Sequence, residues 1–248
     1  MNFKEKLKAE FINGRTKFDW GFLALGLLLQ TAAIIYGYVT GTPDSVVSII
    51  SAISGVISVV LCAQGKISFY LFAYIQMFTY TFGIAIPNHL WGEAWENLFY
   101  FITQTYGIYA WWKIYHVKKE NKSAEVKAKK LNAKGWILTM GALAIGTTIL
   151  TIVLANTSDP QPFLDAISTI PAFIAQILMV LGYREQWLHW LIIDVASVIM
   201  FIMIGNWMMV TMFIFWTINC IYGWYKWTKL AKEKEKESMI IAQVCEEG

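Results

Sequence analysis

Charge is the scarcest property of this sequence. Only 15% of its 248 residues are Asp, Glu, Lys or Arg, against about 25% in soluble domains. With 57% hydrophobic residues and a mean hydropathy of +0.49, a soluble globular fold is excluded. Cysteine is sparse too. Cys62 and Cys220 stand in apolar runs and Cys245 in the tail, with no metal-ligand spacing and no disulfide framework. There is no Gly-rich phosphate loop, no His-Glu-x-x-His and no Gly-x-Ser-x-Gly. Active pumping by ATP would therefore need another subunit. No catalytic residue, cofactor, metal or nucleic-acid partner is expected. A proton relay wants several acids within the membrane, and Asp194 is the one deep acid.

What remains is long apolar runs. Eight can be marked: Trp20–Tyr38, Val46–Ala63, Ile67–Ile86, Asn97–Tyr115, Trp136–Ala155, Phe163–Leu181, Trp187–Ile204 and Trp207–Trp224. Each has about 18–20 residues, enough for one crossing. The expected fold is an all-α polytopic membrane protein with eight transmembrane helices. The breaks carry turn chemistry at Gly41-Thr-Pro43-Asp44, Pro87-Asn88, Asp159-Pro160 and Gly205-Asn206. The first run is too long for a signal peptide and no small-residue cleavage site follows it, so it reads as a retained helix.

The basic residues set orientation. Five precede the first run, Lys66 follows the second, eight lie from Lys113 to Lys134, Arg184 follows the sixth and five lie from Lys226 to Lys236. With eight crossings all 20 fall on one side, while Asp44, Glu93 and Asp159 fall on the other. Under the positive-inside rule both termini are cytoplasmic in a bacterial inner membrane. Asn88 and Asn156 then face outside and Ser123 faces the cytoplasm. The lysine-rich loop should be solvated, with some lipid headgroup contact.

The chain also repeats itself. Tyr106-Gly107-Ile-Tyr109-Ala-Trp111 closes the fourth run and Tyr222-Gly223-Trp-Tyr225-Lys-Trp227 closes the eighth, 116 residues on. Gly65 and Gly182 end the second and sixth runs, 117 apart. The expected plan is two parallel three-helix repeats, 46–115 and 163–227, joined by a loop and linker helix over 116–162. Residues 1–45 hold the cytoplasmic N-terminus and an extra first helix, and 228–248 form a cytoplasmic tail.

Polar groups inside such runs are costly unless satisfied, so each is a candidate. Trp187 and Trp190 share a helix face, and Asp194 lies four residues past Trp190. A carboxylate there costs about 2.5–3.5 kcal/mol on insertion scales. Two aromatic platforms and one acid suit a flat, cationic or hydroxylated ligand. Alternatively, the tryptophans form an interfacial belt and Asp194 pairs with a neighbouring helix. Asn97 and Gln104 lie on one face of the fourth helix, Asn219 stands near the matching place in the eighth, and Gln76 lies in the third. Amides suit sugar hydroxyls and a carboxamide, but also serve as interhelical glue worth about 0.6 kcal/mol. His189 reads as structural. Pro171, inside the sixth helix, should kink it, and the matching place in the second holds Ser54-Gly55, making these a candidate hinge.

The run Arg184-Glu-Gln-Trp187-Leu-His-Trp190-Leu-Ile-Ile-Asp194, with the two Tyr-Gly-x-Tyr-x-Trp endings, resembles the PnuC family of bacterial nicotinamide riboside transporters. The likeness covers the repeated core, from about Val46 to Trp227. The resemblance implies a three-one-three helix plan like that of SWEET sugar transporters. It implies facilitated diffusion of nicotinamide riboside and a functional link to a trapping cytosolic kinase; for such a pyridinium, carboxamide and ribose ligand the polar residues expected to make contact are Trp187, Trp190, Asp194, Gln104, Asn219, Asn97 and Gln76. A homo-oligomer is compatible with it. A thiamine or sugar carrier on the same scaffold is the nearest alternative, and a membrane enzyme is the alternative of another class.

Overall fold

A computed structural model describes residues 3–41, 43, 45–87, 91–117, 124–126, 128–156, 161–204 and 207–246. The turns expected at Asp44, Asn88, Asp159-Pro160 and Gly205-Asn206, and Ser123, lie outside these residues. Nine α-helices run along the described chain: α1 Phe3–Phe11, α2 Lys17–Val39, α3 Val46–Ala63, α4 Phe69–Tyr80, α5 Trp91–Ile114, α6 Ala133–Ala155, α7 Pro162–Val180, α8 Gln186–Ile204 and α9 Trp207–Glu246. Among the described residues α2, α3, α6 and α7 are long and apolar enough to cross a membrane. At 1.5 Å per residue the shortest of them spans about 27 Å. Ile137, Leu138, Ile145 and Ile149 stand exposed on α6, and Leu25, Leu28 and Ile35 on α2. Helices apolar on their open faces belong in lipid.

Several hydroxyls in the helices bond within their own helix. Thr79 Oγ1 donates to the Ile75 carbonyl at 2.7 Å, and Thr103, Thr148 and Thr217 do the same four residues back at 2.8 Å. Hydrocarbon offers no partner of its own, so this internal bonding is what a lipid environment demands.

The chain divides into two compact units, residues 1–126 and 127–248. In the first, α3 packs on α4, and α2 packs on α3. A π-helical turn, Thr81–Ala85, prolongs α4, with Ile86 N–H reaching the Thr81 carbonyl at 2.9 Å. Gly83 in that turn lies against Val47 of α3. The lysine-rich loop is not wholly irregular: β1 Tyr115–Val117 pairs antiparallel with β2 Ala124–Val126.

The α3–α4 turn is the anchor of this unit. Gly65, at φ 69°, closes α3 in a Schellman motif: Lys66 N–H bonds the Leu61 carbonyl at 3.0 Å and Gly65 N–H the Cys62 carbonyl at 2.9 Å. The Gly65 carbonyl accepts from Val126 N–H at 2.8 Å. The short helix α1 docks on the same turn. Its Glu10 carboxylate accepts from Ser68 N–H at 2.8 Å, and Lys66, 1% exposed, sends its ammonium to the Ala9 and Asn13 carbonyls at 3.4 and 3.5 Å. Burial raises the Glu10 pKa, against the lowering pull of Ser68 and Lys66. Thr16 and Asp19 then start α2 with a reciprocal capping box.

In the second unit α6 packs on α7, α7 on α8, and α8 on α9. Gly182, at φ 77°, closes α7 with the same pair of bonds: Tyr183 N–H to the Leu178 carbonyl at 2.8 Å and Gly182 N–H to that of Met179 at 3.0 Å. The Gly182 carbonyl accepts from Lys129 N–H at 2.8 Å, and the Lys129 carbonyl from Arg184 N–H at 3.0 Å. Glu185, fully buried, takes Arg184 Nε at 3.0 Å and Leu131 N–H at 3.1 Å. Pro171 is buried inside α7, which continues on both sides of it. Beyond Trp224, where the apolar run ends, α9 stays helical to Glu246.

The Tyr-Gly-x-Tyr-x-Trp endings do the same work in each unit. Gly107 of α5 faces the Tyr70 ring of α4; a Cβ there would meet the phenol oxygen at 2.5 Å. Trp111, fully buried, stands 5.3 Å from Tyr70, edge to face. Gly223 of α9 faces the Trp187 indole of α8; a Cβ would meet Cε2 at 2.5 Å. Trp227, fully buried, stands 6.1 Å from Trp187 at 73°. The glycine seats a ring from the preceding helix and the tryptophan backs it.

Candidate functional site

The α8–α9 pair gathers the densest set of buried polar groups in the second unit. Trp187 is 4% exposed, seated on Gly223 and against Trp227. Seven residues on, hence on the same helix face, Asp194 is 3% exposed. Its Oδ2 lies 3.1 Å from the Cys220 thiol of α9. Asn219, next to Cys220, is 2% exposed. Trp190 is half-buried, one turn from each of Trp187 and Asp194. His189 is buried, its Nδ1 3.1 Å from the Glu185 carbonyl.

Several of these groups retain bonding capacity. Trp187 Nε1, His189 Nε2, Trp216 Nε1 and both amide atoms of Gln186 are buried without a hydrogen-bond partner among the described residues. Each such group costs about 1–3 kcal/mol if left unmade. That cost is carried where a polar ligand or water completes the set. A separate shallow groove on Val195, Val198, Ile199, Ile214, Thr217 and Ile218 is nearly all apolar and faces outward; it suits an acyl chain, not a polar solute.

The other candidates belong to the first unit. Asn97 and Gln104, two turns apart on α5, are both buried, and Gln104 Oε1 has no hydrogen-bond partner among the described residues. Gln76 of α4 is half-buried; a Cβ on Gly55 of α3 would stand 3.3 Å from its Cγ. Its main-chain carbonyl takes the Ser51 hydroxyl at 3.5 Å. The structure thus brings Trp187, Asp194 and Asn219 to one helix pair and places Asn97, Gln104 and Gln76 on the α4–α5 pair. Cys220, Gln186 and Trp216 were not anticipated. Cys220 and Trp216 carry the helical spacing of Gly223 and Trp227, the one signal that places them on the shared face.

An apolar helical exterior and hydroxyls bonded back to their own helices define an all-α membrane protein. Comparison with known proteins is specific. The family model for the nicotinamide mononucleotide transporter matches residues 45–229. The nicotinamide riboside transporter PnuC of Haemophilus influenzae is 35% identical over 94% of this chain and 99% of its own. That of Neisseria mucosa is 29% identical over 91% of this chain and 86% of its own. A crystal structure of the vitamin B3 transporter PnuC superposes with a TM-score of 0.77 at 29% identity, covering 94% of this chain and 99% of that one. The chain belongs to the PnuC family, a family of transporters and not of enzymes.

Proposed function

We propose that this protein carries nicotinamide riboside across the membrane by facilitated diffusion, with Trp190 and Asp194 of α8 as the principal contacts. The observation that carries this reading is a buried carboxylate beside a half-buried indole on the apolar helix α8. Nicotinamide riboside presents a pyridinium cation, a carboxamide and ribose hydroxyls. Stacking of a cation on Trp is worth about 2 kcal/mol when desolvated, and a carboxylate balances the charge or takes hydroxyls. Gln104, Asn97, Gln76 and Asn219 would read the carboxamide and ribose. Trp187, wedged on Gly223, is held on the α8 face that also carries Asp194. The family model's name points to the mononucleotide, but a phosphate wants an arginine cluster. The chain has two arginines. Arg15 stacks on Trp20 at 4.8 Å, and Arg184 is engaged by Glu185 and stacks on Trp224 at 4.9 Å.

The same reading takes eight crossings and two parallel three-helix repeats, α3–α5 and α7–α9, with α6 as linker. The matched Schellman turns at Gly65 and Gly182 and the matched ring seats at Gly107 and Gly223 support it. The one-sided lysines and arginines support cytoplasmic termini in a bacterial inner membrane. Uptake would be completed by a cytosolic kinase that traps the product.

Calorimetry on the purified protein is the test. Nicotinamide riboside should bind, and both its mononucleotide and thiamine should bind at least about tenfold more weakly, a difference of about 1.4 kcal/mol. Trp190→Ala and Asp194→Ala should each cost at least the same factor, with Asp194→Asn milder. Folded, monodisperse variants that bind like the parent would refute the site.

A further inference from the structure

Asp194 is held by a thiol. Cys220 Sγ lies 3.1 Å from Asp194 Oδ2, and the two side chains are 4% and 3% exposed. Trp216, Cys220, Gly223 and Trp227 form one stripe of α9, spaced four, three and four residues. That stripe meets α8 at two levels. Gly223 and Trp227 clasp the Trp187 ring, and two turns along α8 Cys220 meets Asp194. On the same helix pair Trp187 Nε1, His189 Nε2 and Trp216 Nε1 are buried and without hydrogen-bond partners among the described residues. An S–H group is a weak donor. It fixes one carboxylate oxygen while drawing little on the acceptor strength a ligand needs.

We propose that Cys220 is a positioning residue for substrate recognition: its S–H holds the Asp194 carboxylate toward α9 through Oδ2, so that a cationic, hydroxylated ligand meets a preset acceptor. This rests on the reading of Asp194 as a substrate contact. A packing role alone predicts something different. A residue that only fills space affects binding whether or not position 194 is acidic. A residue that acts through the carboxylate loses its effect once the carboxylate is gone.

The experiment is a double-mutant cycle on the purified full chain, with nicotinamide riboside binding read by calorimetry and melting temperature read alongside. Cys220→Ala should weaken binding about five- to tenfold, and in the Asp194→Ala background the same change should cost nothing further, since sites coupled through one contact are non-additive. Cys220→Ser keeps a donor at nearly the same place and should recover binding to within about threefold of the parent. Independent, additive losses in the double variant would overturn the proposal, as would equal losses for Cys220→Ala and Cys220→Ser. If Asp194→Ala weakens binding and Cys220→Ala does not, the role of Cys220 alone fails. If Asp194→Ala itself binds like the parent, the reading of the site fails and takes this inference with it.

Discussion

Alanine at position 223 adds one methyl group where there is no room for it. The new Cβ would lie 2.5, 2.6 and 2.7 Å from Cε2, Cδ2 and Cζ2 of Trp187. Carbon atoms settle at about 3.5–4.0 Å, so the indole must retreat by roughly 1 Å. Trp227 stands behind it, edge to face and fully buried, and leaves no second seat. Overpacking of this kind costs about 1–3 kcal/mol, and three close contacts on a rigid ring put it near the top of that range. Replacing glycine within a helix returns about 1 kcal/mol. The clash wins, and the net loss is about 2 kcal/mol, or about 4–8 °C in melting temperature at this chain length. The assay is thermal melting followed by size-exclusion of the detergent-solubilised protein. Trp187→Phe in the same chain should recover part of the loss by removing the fused ring. In the first unit, Gly107→Ala should be relieved more fully by Tyr70→Phe, because the phenol oxygen is the nearest obstacle and the ring carbons follow at 3.1 Å. A Gly223→Ala protein that melts with or above the parent would refute the ring-seat account of the repeated motif.

Three further expectations can be checked with the same preparation or in cells. Substrate in proteoliposomes should equilibrate without a proton or sodium gradient, because the sequence offers one deep acid; accumulation driven by either gradient would refute uniport. Pro171→Ala should slow uptake more than it weakens equilibrium binding if α7 and the Ser54-Gly55 segment of α3 are hinges; losses that fall together would make Pro171 a shaper of the site, and no change would end the hinge idea. The Ser54 hydroxyl already bonds the Ile50 and Ser51 carbonyls, at 2.6 and 3.1 Å, a pattern that bends helices. A single cysteine at exposed Lys130 should be protected from an impermeant reagent in intact cells, while one at exposed Asn156 should react; the reverse would overturn the orientation.

Legibility in the sequence followed the source of stability. The apolar run Val46–Ala63 coincides with α3, and those beginning at Phe163 and Trp187 start one residue inside α7 and α8, because a run's ends are set by the same polar turns that end the helix. The structure adds what hydropathy does not encode. Helix α1 is short and charged, and rests on contacts of its Glu10 carboxylate and Ala9 carbonyl with Ser68 and Lys66 of a distant turn. The tail of α9 is rich in Ala, Lys and Glu, which propagate a helix at little cost although they are not apolar. The pairing of β1 with β2 was hidden inside a lysine-rich stretch. At the site, spacing was enough to place Trp187 and Asp194 on one face. It did not reveal that the face is spoken for by Gly223 at one level and Cys220 at the next, since that depends on the register of α9 against α8.

The placement of Lys66 gives one charge two successive uses. While the chain is being inserted, under the proposed orientation, it is the sole basic signal retaining the α3–α4 turn on the cytoplasmic side. In the finished protein that ammonium is sealed from solvent and occupied by the Ala9 and Asn13 carbonyls at the end of α1. The order is forced, because a lysine cannot steer insertion from inside a closed contact. Helix α1, which leaves the ribosome before the α3–α4 hairpin, must therefore wait for that hairpin before it can settle. A fusion at the N-terminus that delays that settling would leave an inserted chain with its first segment undocked, a late assembly defect rather than an early targeting one.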